Sequence, residues 1–222
     1  MLRRIYEEWY RQIATEVPKG SGSVLEIGSG PGFLSERMPG LVSSEVFLCP
    51  GVRTVLDARR LPARDGSLRA IVMTDVFHHI PDTRRFLAEA TRALRPGGVI
   101  VMVEPWVSRW SRFVYGHLHH EPFLPESTSW ELPPGGPLSG ANSALPWIVF
   151  ERDRARFERE FPHLGIGSIT PGLPLRYVLS GGLSIRSLLP LAAHRALESV
   201  ESLLGRWPET WAMFARIVLV RS

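Results

Sequence analysis

The chain has 222 residues, a formal net charge of +4 and 44% hydrophobic residues, a composition that excludes a wholly disordered protein. Its one cysteine, Cys49, excludes an intramolecular disulfide and favours a reducing, cytoplasmic location. The basic residues are scattered, so no nucleic-acid partner is expected. Residues 1–17 lack the apolar core of a signal peptide, and no apolar run approaches the roughly 18 residues of a spanning helix. Peripheral contact with the inner face of a membrane stays open.

Apolar residues recur at helical spacing along residues 1–17, which predicts an amphipathic first helix that ends before Pro18. Short apolar runs then alternate with helical patterns as far as residue 104. They predict a helix at 33–38, a second helix capped by Asp82, and strands at 24–27, 41–45, 54–57, 70–74 and 99–103. This alternation is typical of βαβ units and a parallel sheet.

Residues 106–147, the lid segment, break this rhythm, because they are rich in Trp, Pro, Gly, Ser and His. We interpret them as a lid or insertion and not as core. A helix at 151–161 and strands at 166–170 and 214–220 are predicted beyond them. Residues 173–206, the apolar segment, are predicted to be mainly helical, and they either cover a pocket, lie on a membrane surface or form a dimer face. No second independent domain is predicted, so residues 1–222 form one domain, and the oligomeric state is left open.

The first predicted strand runs into Gly28-Ser29-Gly30-Pro31-Gly32, a loop whose glycines let the backbone approach a ligand closely. Nucleotide and dinucleotide binders share such loops. A nicotinamide-dependent oxidoreductase is disfavoured, because Phe33 stands where the dinucleotide fingerprint needs a small residue and Glu26 precedes the first glycine. No Gly-Lys-Ser/Thr follows, which excludes a phosphate-binding P-loop.

Four motifs in order resemble the class I S-adenosylmethionine-dependent methyltransferases, in their small-molecule branch. The resemblance covers residues 22–104, the predicted cofactor-binding half, and rests on residues 24–32, Asp57-Ala58, residues 71–79 and residues 94–98. It implies an α/β fold of the three-layer, Rossmann-like methyltransferase type. The expected sheet has seven mostly parallel strands with an antiparallel last strand, and the two segments are inserted into it.

The resemblance also implies a binding role for residues of this chain. S-adenosylmethionine is the expected cofactor and S-adenosylhomocysteine the product. Glu26 would orient the cofactor's ammonium group, Glu45 would accept from the ribose hydroxyls, and Asp57 would accept from the adenine amino group. For Glu26 and Asp57, a purely structural role in the loop or turn is the alternative. The implied cofactor set is Glu26, Gly28, Ser29, Gly30, Gly32, Phe33, Glu45, Asp57, Ala58, Thr74, Asp75 and His79.

Methyl transfer from a sulfonium needs positioning above all, and a base only for some acceptors. The candidate catalytic residues are His78, His79 and Glu104, which follow the fourth and fifth strands. A packing role for His79 and a role for Glu104 in anchoring the lid segment are the alternatives.

No metal site is predicted. His117, His119, His120 and Glu121 stand close together, but their spacing matches no metal motif, and a surface loop explains it.

The many aromatic residues of the lid segment suggest an apolar pocket, although they would also serve to pack it onto the core. The predicted activity is methyl transfer to an oxygen, nitrogen or carbon atom of a bulky, partly apolar small molecule. A catalytically silent module that binds S-adenosylmethionine or a partner is the alternative. The sequence does not indicate which molecule is the acceptor.

Overall fold

The computed structural model describes residues 2–30, 32–133, 135–136, 140–172, 175–179 and 194–222. The described strands form one seven-stranded sheet. They are β1 (Ser23–Ile27), β2 (Val42–Glu45), β3 (Thr54–Val55), β4 (Leu68–Thr74), β5 (Leu94–Pro105), β6 (Leu164–Gly172) and β7 (Phe214–Arg221).

Helices lie between and after the strands. They are α1 (Leu2–Glu16), α2 (Leu34–Arg37), α3 (Thr83–Ala93), α4 (Arg109–His117), α5 (Leu145–Trp147), α6 (Arg154–Glu160), α7 (Arg176–Leu179), α8 (His194–Leu204) and α9 (Pro208–Trp211), with a 3₁₀ turn at Phe77–His79 and a π-helical turn at Ile148–Arg152. In the described ranges, no helix has the length and apolar character needed to cross a bilayer.

The strand order is β3-β2-β1-β4-β5-β7-β6. The first five strands pair in parallel, and β7 is antiparallel to both β5 and β6. This arrangement confirms the predicted α/β fold with an antiparallel last strand. Because the parallel strands end at one edge of the sheet, the loops that follow β1, β2 and β4 meet there.

The central strands are buried on both faces, as continuous apolar runs predict. Along β4, Ile71 and Met73 belong to the core on one side of the sheet, while Ala70 and Val72 belong to the core on the other. Helix α1 covers the second side with its buried face of Ile5, Trp9, Tyr10 and Ile13. Helix α3 covers the first side and is capped as predicted, since Asp82 accepts from the Arg85 amide.

Several predicted boundaries shift for local reasons. Strand β3 stops at Val55, before the predicted end at 57, because Asp57 turns the chain through hydrogen bonds to Arg59. Strand β5 begins at Leu94, which pairs with Leu68, and so it is longer than the predicted 99–103. The predicted helix at 151–161 is split into the π-helical turn and α6.

The lid segment contributes to the core, although we expected it to lie outside. Trp130 is fully buried, and its indole nitrogen donates to Asp153 Oδ2 at 2.8 Å. The Leu132 amide donates to the Pro81 carbonyl at 2.9 Å, which ties the segment to the loop after β4. Its function as a lid stays a prediction.

The apolar segment is described only at residues 175–179 and 194–206. Within these ranges, α7 and α8 confirm helical structure, and the rest of the helical prediction lies outside the described residues. The buried guanidinium of Arg176 bonds the Glu201 carboxylate of α8 and Glu8 of α1. These ion pairs hold α7 against α1. Membrane contact and dimerisation by this segment stay predictions.

Candidate functional site

A cavity of about 560 Å³ opens where β1, β2 and β4 end, a size usual for small-molecule pockets. Every residue of the cofactor set implied by the sequence lines it. They are Glu26, Gly28, Ser29, Gly30, Gly32, Phe33, Glu45, Asp57, Ala58, Thr74, Asp75 and His79.

The glycine loop follows β1 and needs glycine at two positions for different reasons. Gly28 has φ +67°, and a Cβ there would stand 2.4 Å from a methyl group of Val76. This glycine therefore allows the loop to approach the chain after β4. Gly30 has φ +48°, but a Cβ there would have no heavy atom within 4 Å among the described residues. Since Gly30 lines the cavity, a side chain there would extend into the cavity.

Glu26, at the cavity wall, is a buried acid held by the loop. Ser29 Oγ donates to Glu26 Oε2 at 2.8 Å and accepts from the Ser44 amide at 3.0 Å. Burial, together with the charge of Glu45, raises the pKa of Glu26 to about 7 even though the Ser29 hydrogen bond opposes the rise. A cationic ligand group here would restore the ionised form.

Glu45 ends β2 and is 8% exposed. Its Oε2 accepts from the Val46 amide at 3.1 Å, and it lines the cavity as a ribose acceptor must. Asp57 lines the cavity too, but both its oxygens accept from the Arg59 side chain, which holds the pKa of Asp57 below its usual range. Asp57 therefore has the structural role in a turn that the sequence left as an alternative. Its contact with the adenine of the cofactor stays a prediction.

Asp75 follows β4 in an unusual backbone conformation. Its φ is +62°, a left-handed value that Asp and Asn adopt more readily than most residues. The Asp75 amide donates to the Val103 carbonyl at 2.8 Å, which fixes the residue at the cavity. Burial raises the pKa of its carboxyl to about 7, although the nearby His78 opposes the rise. An ionisable group thus lies beside the cofactor residues Thr74 and Gly28.

His78 and Glu104, two of the predicted catalytic residues, form a buried pair behind the cavity wall. His78 Nδ1 lies 2.7 Å from Glu104 Oε2, and Glu104 Oε1 accepts from the amides of Val76 and Phe77, each at 2.8 Å. Burial alone would lower the pKa of His78, but Glu104 and Glu121 together raise it to about 10. Neither His78 nor Glu104 lines the cavity, so we assign both to positioning the loop after β4.

His79, the third predicted catalytic residue, lines the cavity. Its Nδ1 lies 3.3 Å from the Gly140 carbonyl, and burial lowers its pKa. Its Nε2 lies 3.5 Å from Glu121 Oε1, while His78 Nε2 lies 3.4 Å from Glu121 Oε2. Of the His and Glu residues grouped in the sequence at 117–121, Glu121 therefore belongs to this site. His117 instead bonds the Phe113 carbonyl of its own helix.

Helix α1 forms a wall of the cavity that sequence reasoning missed. Leu2, Arg3, Tyr6 and Tyr10 line it, and the Tyr10 ring packs edge-on against Phe33 at 4.9 Å between centroids. The periodic apolar stripe indicated that this helix is buried on one face, but nothing in it indicated which element it packs against.

Each segment places a tyrosine near Asp75. Tyr115 of α4 and Tyr177 of α7 are both buried, and burial together with the charge of Asp75 raises the pKa of each phenol. Tyr115 Oη has no hydrogen-bond partner among the described residues. Tyr6 of α1 experiences the same two effects. Of these three tyrosines, Tyr6 lines the cavity itself.

The two ends of the cavity fit the cofactor that the resemblance implies. Buried Glu26 suits an ammonium group, Glu45 suits a pair of hydroxyls, and the open space at Gly30 suits a ligand chain that passes against the loop. Thr74 lines the same cavity, and its Oγ1 is buried without a hydrogen-bond partner in the described part of the chain.

Comparison with known proteins agrees with this geometry. Residues 25–102 match the family model described as a methyltransferase domain. The phthiotriol/phenolphthiotriol dimycocerosates methyltransferase of Mycobacterium tuberculosis (strain ATCC 25618 / H37Rv) is 34% identical over 43% of this chain and 42% of its own length. An uncharacterized methyltransferase of Mycobacterium sp. (strain JLS) is 28% identical over 49% of each chain. The chain thus matches less than half the length of these curated relatives.

Solved structures share the fold over the whole chain. Geranyl diphosphate C-methyltransferase from Streptomyces coelicolor A3(2), in complex with Mg²⁺, geranyl diphosphate and S-adenosyl-L-homocysteine, has a TM-score of 0.58 and 16% identity, over 100% of this chain and 82% of that one. A methyltransferase from Mesorhizobium loti has a TM-score of 0.54 and 12% identity, over 95% of this chain and 96% of that one. Residues 25–102 thus match a methyltransferase domain, and the chain has the fold of the class I S-adenosylmethionine-dependent methyltransferases.

Proposed function

We propose that this protein transfers the methyl group of S-adenosylmethionine to a bulky, partly apolar small molecule. One observation carries the proposal: the cavity that contains the implied cofactor residues is also lined by Tyr6 of α1 and Gly136 of the lid segment, which are not among them. A module that only bound the cofactor would not need cavity walls beyond the cofactor's own contacts.

The cofactor supplies an activated methyl group on a sulfonium, so the protein has to bind and orient both partners. Glu26 would hold the ammonium end and Glu45 the ribose, and the backbone at Gly30 would border the chain between them. The close approach of Gly28 to Val76 places this loop against the residues that follow β4. The acceptor would then enter at the Asp75 end.

The walls of that end favour an acceptor with apolar surface. Tyr6 lines the cavity, and Tyr115 and Tyr177 lie near enough to Asp75 to experience its charge. Two names among the relatives and neighbours, dimycocerosates and geranyl diphosphate, denote molecules with long or branched hydrocarbon parts. These names support the class of acceptor and do not identify the molecule.

Both segments are proposed to cover the acceptor. Gly135 and Gly136 of the lid segment line the cavity, and Tyr177 of the apolar segment packs against Trp9 and Phe214, with ring centroids at 5.9 and 4.6 Å. Long excursions in compact domains are usually functional loops of this kind.

The test uses S-adenosylmethionine labelled in its methyl group and solvent-extracted small molecules from the organism that encodes the chain. We expect protein-dependent label in an extractable product. Tyr6→Ala, in a residue that lines the cavity but lies outside the implied cofactor set, should lower turnover at least about tenfold while S-adenosylhomocysteine affinity changes less than about threefold. Tight cofactor binding without label transfer to any extract would favour the silent module.

A further inference from the structure

Two imidazoles and a carboxylate converge beside the cavity. His78 Nε2 lies 3.4 Å from one oxygen of Glu121, and His79 Nε2 lies 3.5 Å from the other. One atom from each of the three residues lies within 4.8 Å of the others. Tetrahedral Zn²⁺, with bonds of about 2.1 Å, separates its ligand atoms by about 3.4 Å. The spacing therefore suits three ligands of one ion.

The groups that contact Nδ1 of the two histidines also suit a metal site. Nδ1 of His78 meets the Glu104 carboxylate at 2.7 Å, and Nδ1 of His79 meets the Gly140 carbonyl at 3.3 Å. Both partners can only accept, so Nδ1 carries a proton in each ring, and an ion at Nε2 would displace the second proton that His78 otherwise holds there. Metal-binding histidines almost always have such a partner at their second nitrogen.

The buried Nε2 atom of His78 makes no ordinary hydrogen bond among the described residues. The residue is 1% exposed, yet its Nε2 has no hydrogen-bond partner among the described residues, and Glu121 Oε2 lies 3.4 Å away. The Glu121 carboxylate is itself held by Ser143 Oγ at 3.2 Å. The carboxylate and the two Nε2 atoms therefore face one another at the spacing of metal ligands, with no hydrogen bond between them among the described residues.

We propose that His78, His79 and Glu121 bind one divalent transition-metal ion of the Zn²⁺ type. Two imidazole ligands favour such an ion over Mg²⁺ or Ca²⁺, which prefer oxygen. Nearby Asp75 and Glu104 add negative charge that a dication would offset. The proposal departs from our expectation of no metal, which considered only the spacing within residues 117–121.

The ion's remaining coordination positions would open on the cavity, since His79 lines it and Glu121 is partly exposed. If the proposed methyl transfer is correct, the ligand there would be an oxygen atom of the acceptor, which the ion would hold and polarise. Metal binding itself requires neither cofactor nor acceptor.

The experiment titrates Zn²⁺ into the metal-free full chain, purified without a histidine tag, by calorimetry, and records the visible spectrum of the Co²⁺ form. We expect one ion per chain. His79→Ala and Glu121→Ala should each weaken binding more than about tenfold, because loss of even a supporting partner commonly costs about 10- to 100-fold. His117→Ala, which removes a histidine of the same region whose ring bonds its own helix, should bind as the wild type does.

Far-UV circular dichroism and a cooperative urea transition show that each variant is folded, and the S-adenosylhomocysteine affinity of the wild type separates this proposal from the proposed function. Failure to bind Zn²⁺ with normal cofactor binding would overturn the metal site alone. In that case His78 would be a protonated residue paired with Glu104 and Glu121. Equal Zn²⁺ affinity in the wild type and in folded His79→Ala and Glu121→Ala proteins would likewise overturn it, as adventitious surface binding.

Discussion

Replacement of Glu26 by glutamine should stabilise the protein without cofactor and weaken its cofactor binding. Glu26 is 5% exposed, and its burial raises the pKa of its carboxyl to about 7. The substitution Glu26→Gln removes the charge and keeps a side-chain oxygen that can accept from Ser29. The ammonium group of a bound ligand would lose its carboxylate partner.

The size of the effect follows from the pKa. A rise from 4.5 to about 7 corresponds to about 3 kcal/mol, at about 1.4 kcal/mol for each pKa unit. Because the pKa is raised, the folded protein binds the proton more tightly than the unfolded chain. The contribution to stability is therefore full below pH 4.5 and is lost as the pH rises through 7.

Urea unfolding of the wild type and of Glu26→Gln at pH 5 and pH 8, without ligand, measures this effect. The stability of the variant relative to the wild type should rise by about 2–3 kcal/mol between the two pH values. Glu126→Gln, which changes a glutamate whose side chain is 85% exposed, is the matched control and should show no comparable pH dependence. A Glu26→Gln difference that is the same at both pH values would refute the reasoning.

Three further substitutions test other parts of the structure. Trp130→Ala should lower the free energy of unfolding by about 3–5 kcal/mol, because it empties a fully buried site and leaves Asp153 without the indole donor. A loss below about 1 kcal/mol would place the lid segment outside the core. Glu201→Ala should cost about 3 kcal/mol in the same urea assay, since it leaves the buried Arg176 charge with less compensation; an unchanged midpoint would contradict that contact. Glu45→Ala should weaken S-adenosylhomocysteine binding by about 1.5–3 kcal/mol in calorimetry, and normal affinity would remove Glu45 from the ribose site.

The sequence predicted most of the sheet and the location of the cofactor site, because those depend on local patterns. Every described strand overlaps a predicted strand, and the glycine loop identified the edge at which parallel strands end. Glu26, Gly30 and Thr74 come from separate strands or loops, yet they line one cavity because those strands end together.

The features that escaped prediction depend on contacts between distant residues. The stripe on α1 indicated a buried face, but it did not indicate that Tyr6 would line the cavity. Glu104 was recognised as a functional position, but its partner His78 could not be read from spacing. Glu121 was interpreted, with the histidines near it in sequence, as part of a surface loop. In the structure it lies against His78 and His79, which follow β4.

Cofactor binding at the glycine loop is the claim on which the other proposals about the reaction depend, and a matched pair of glycine substitutions tests it most directly. Gly30 and Gly40 both have positive φ and open space where a Cβ would stand, but only Gly30 lines the cavity. Asparagine tolerates such a backbone, so both variants should fold. Calorimetry should show one S-adenosylhomocysteine bound to the wild type and to Gly40→Asn with equal affinity, and a loss of more than about tenfold, or 1.4 kcal/mol, in Gly30→Asn. Wild-type affinity in a folded Gly30→Asn protein, or binding of NAD in place of S-adenosylhomocysteine by the wild type, would contradict the claim.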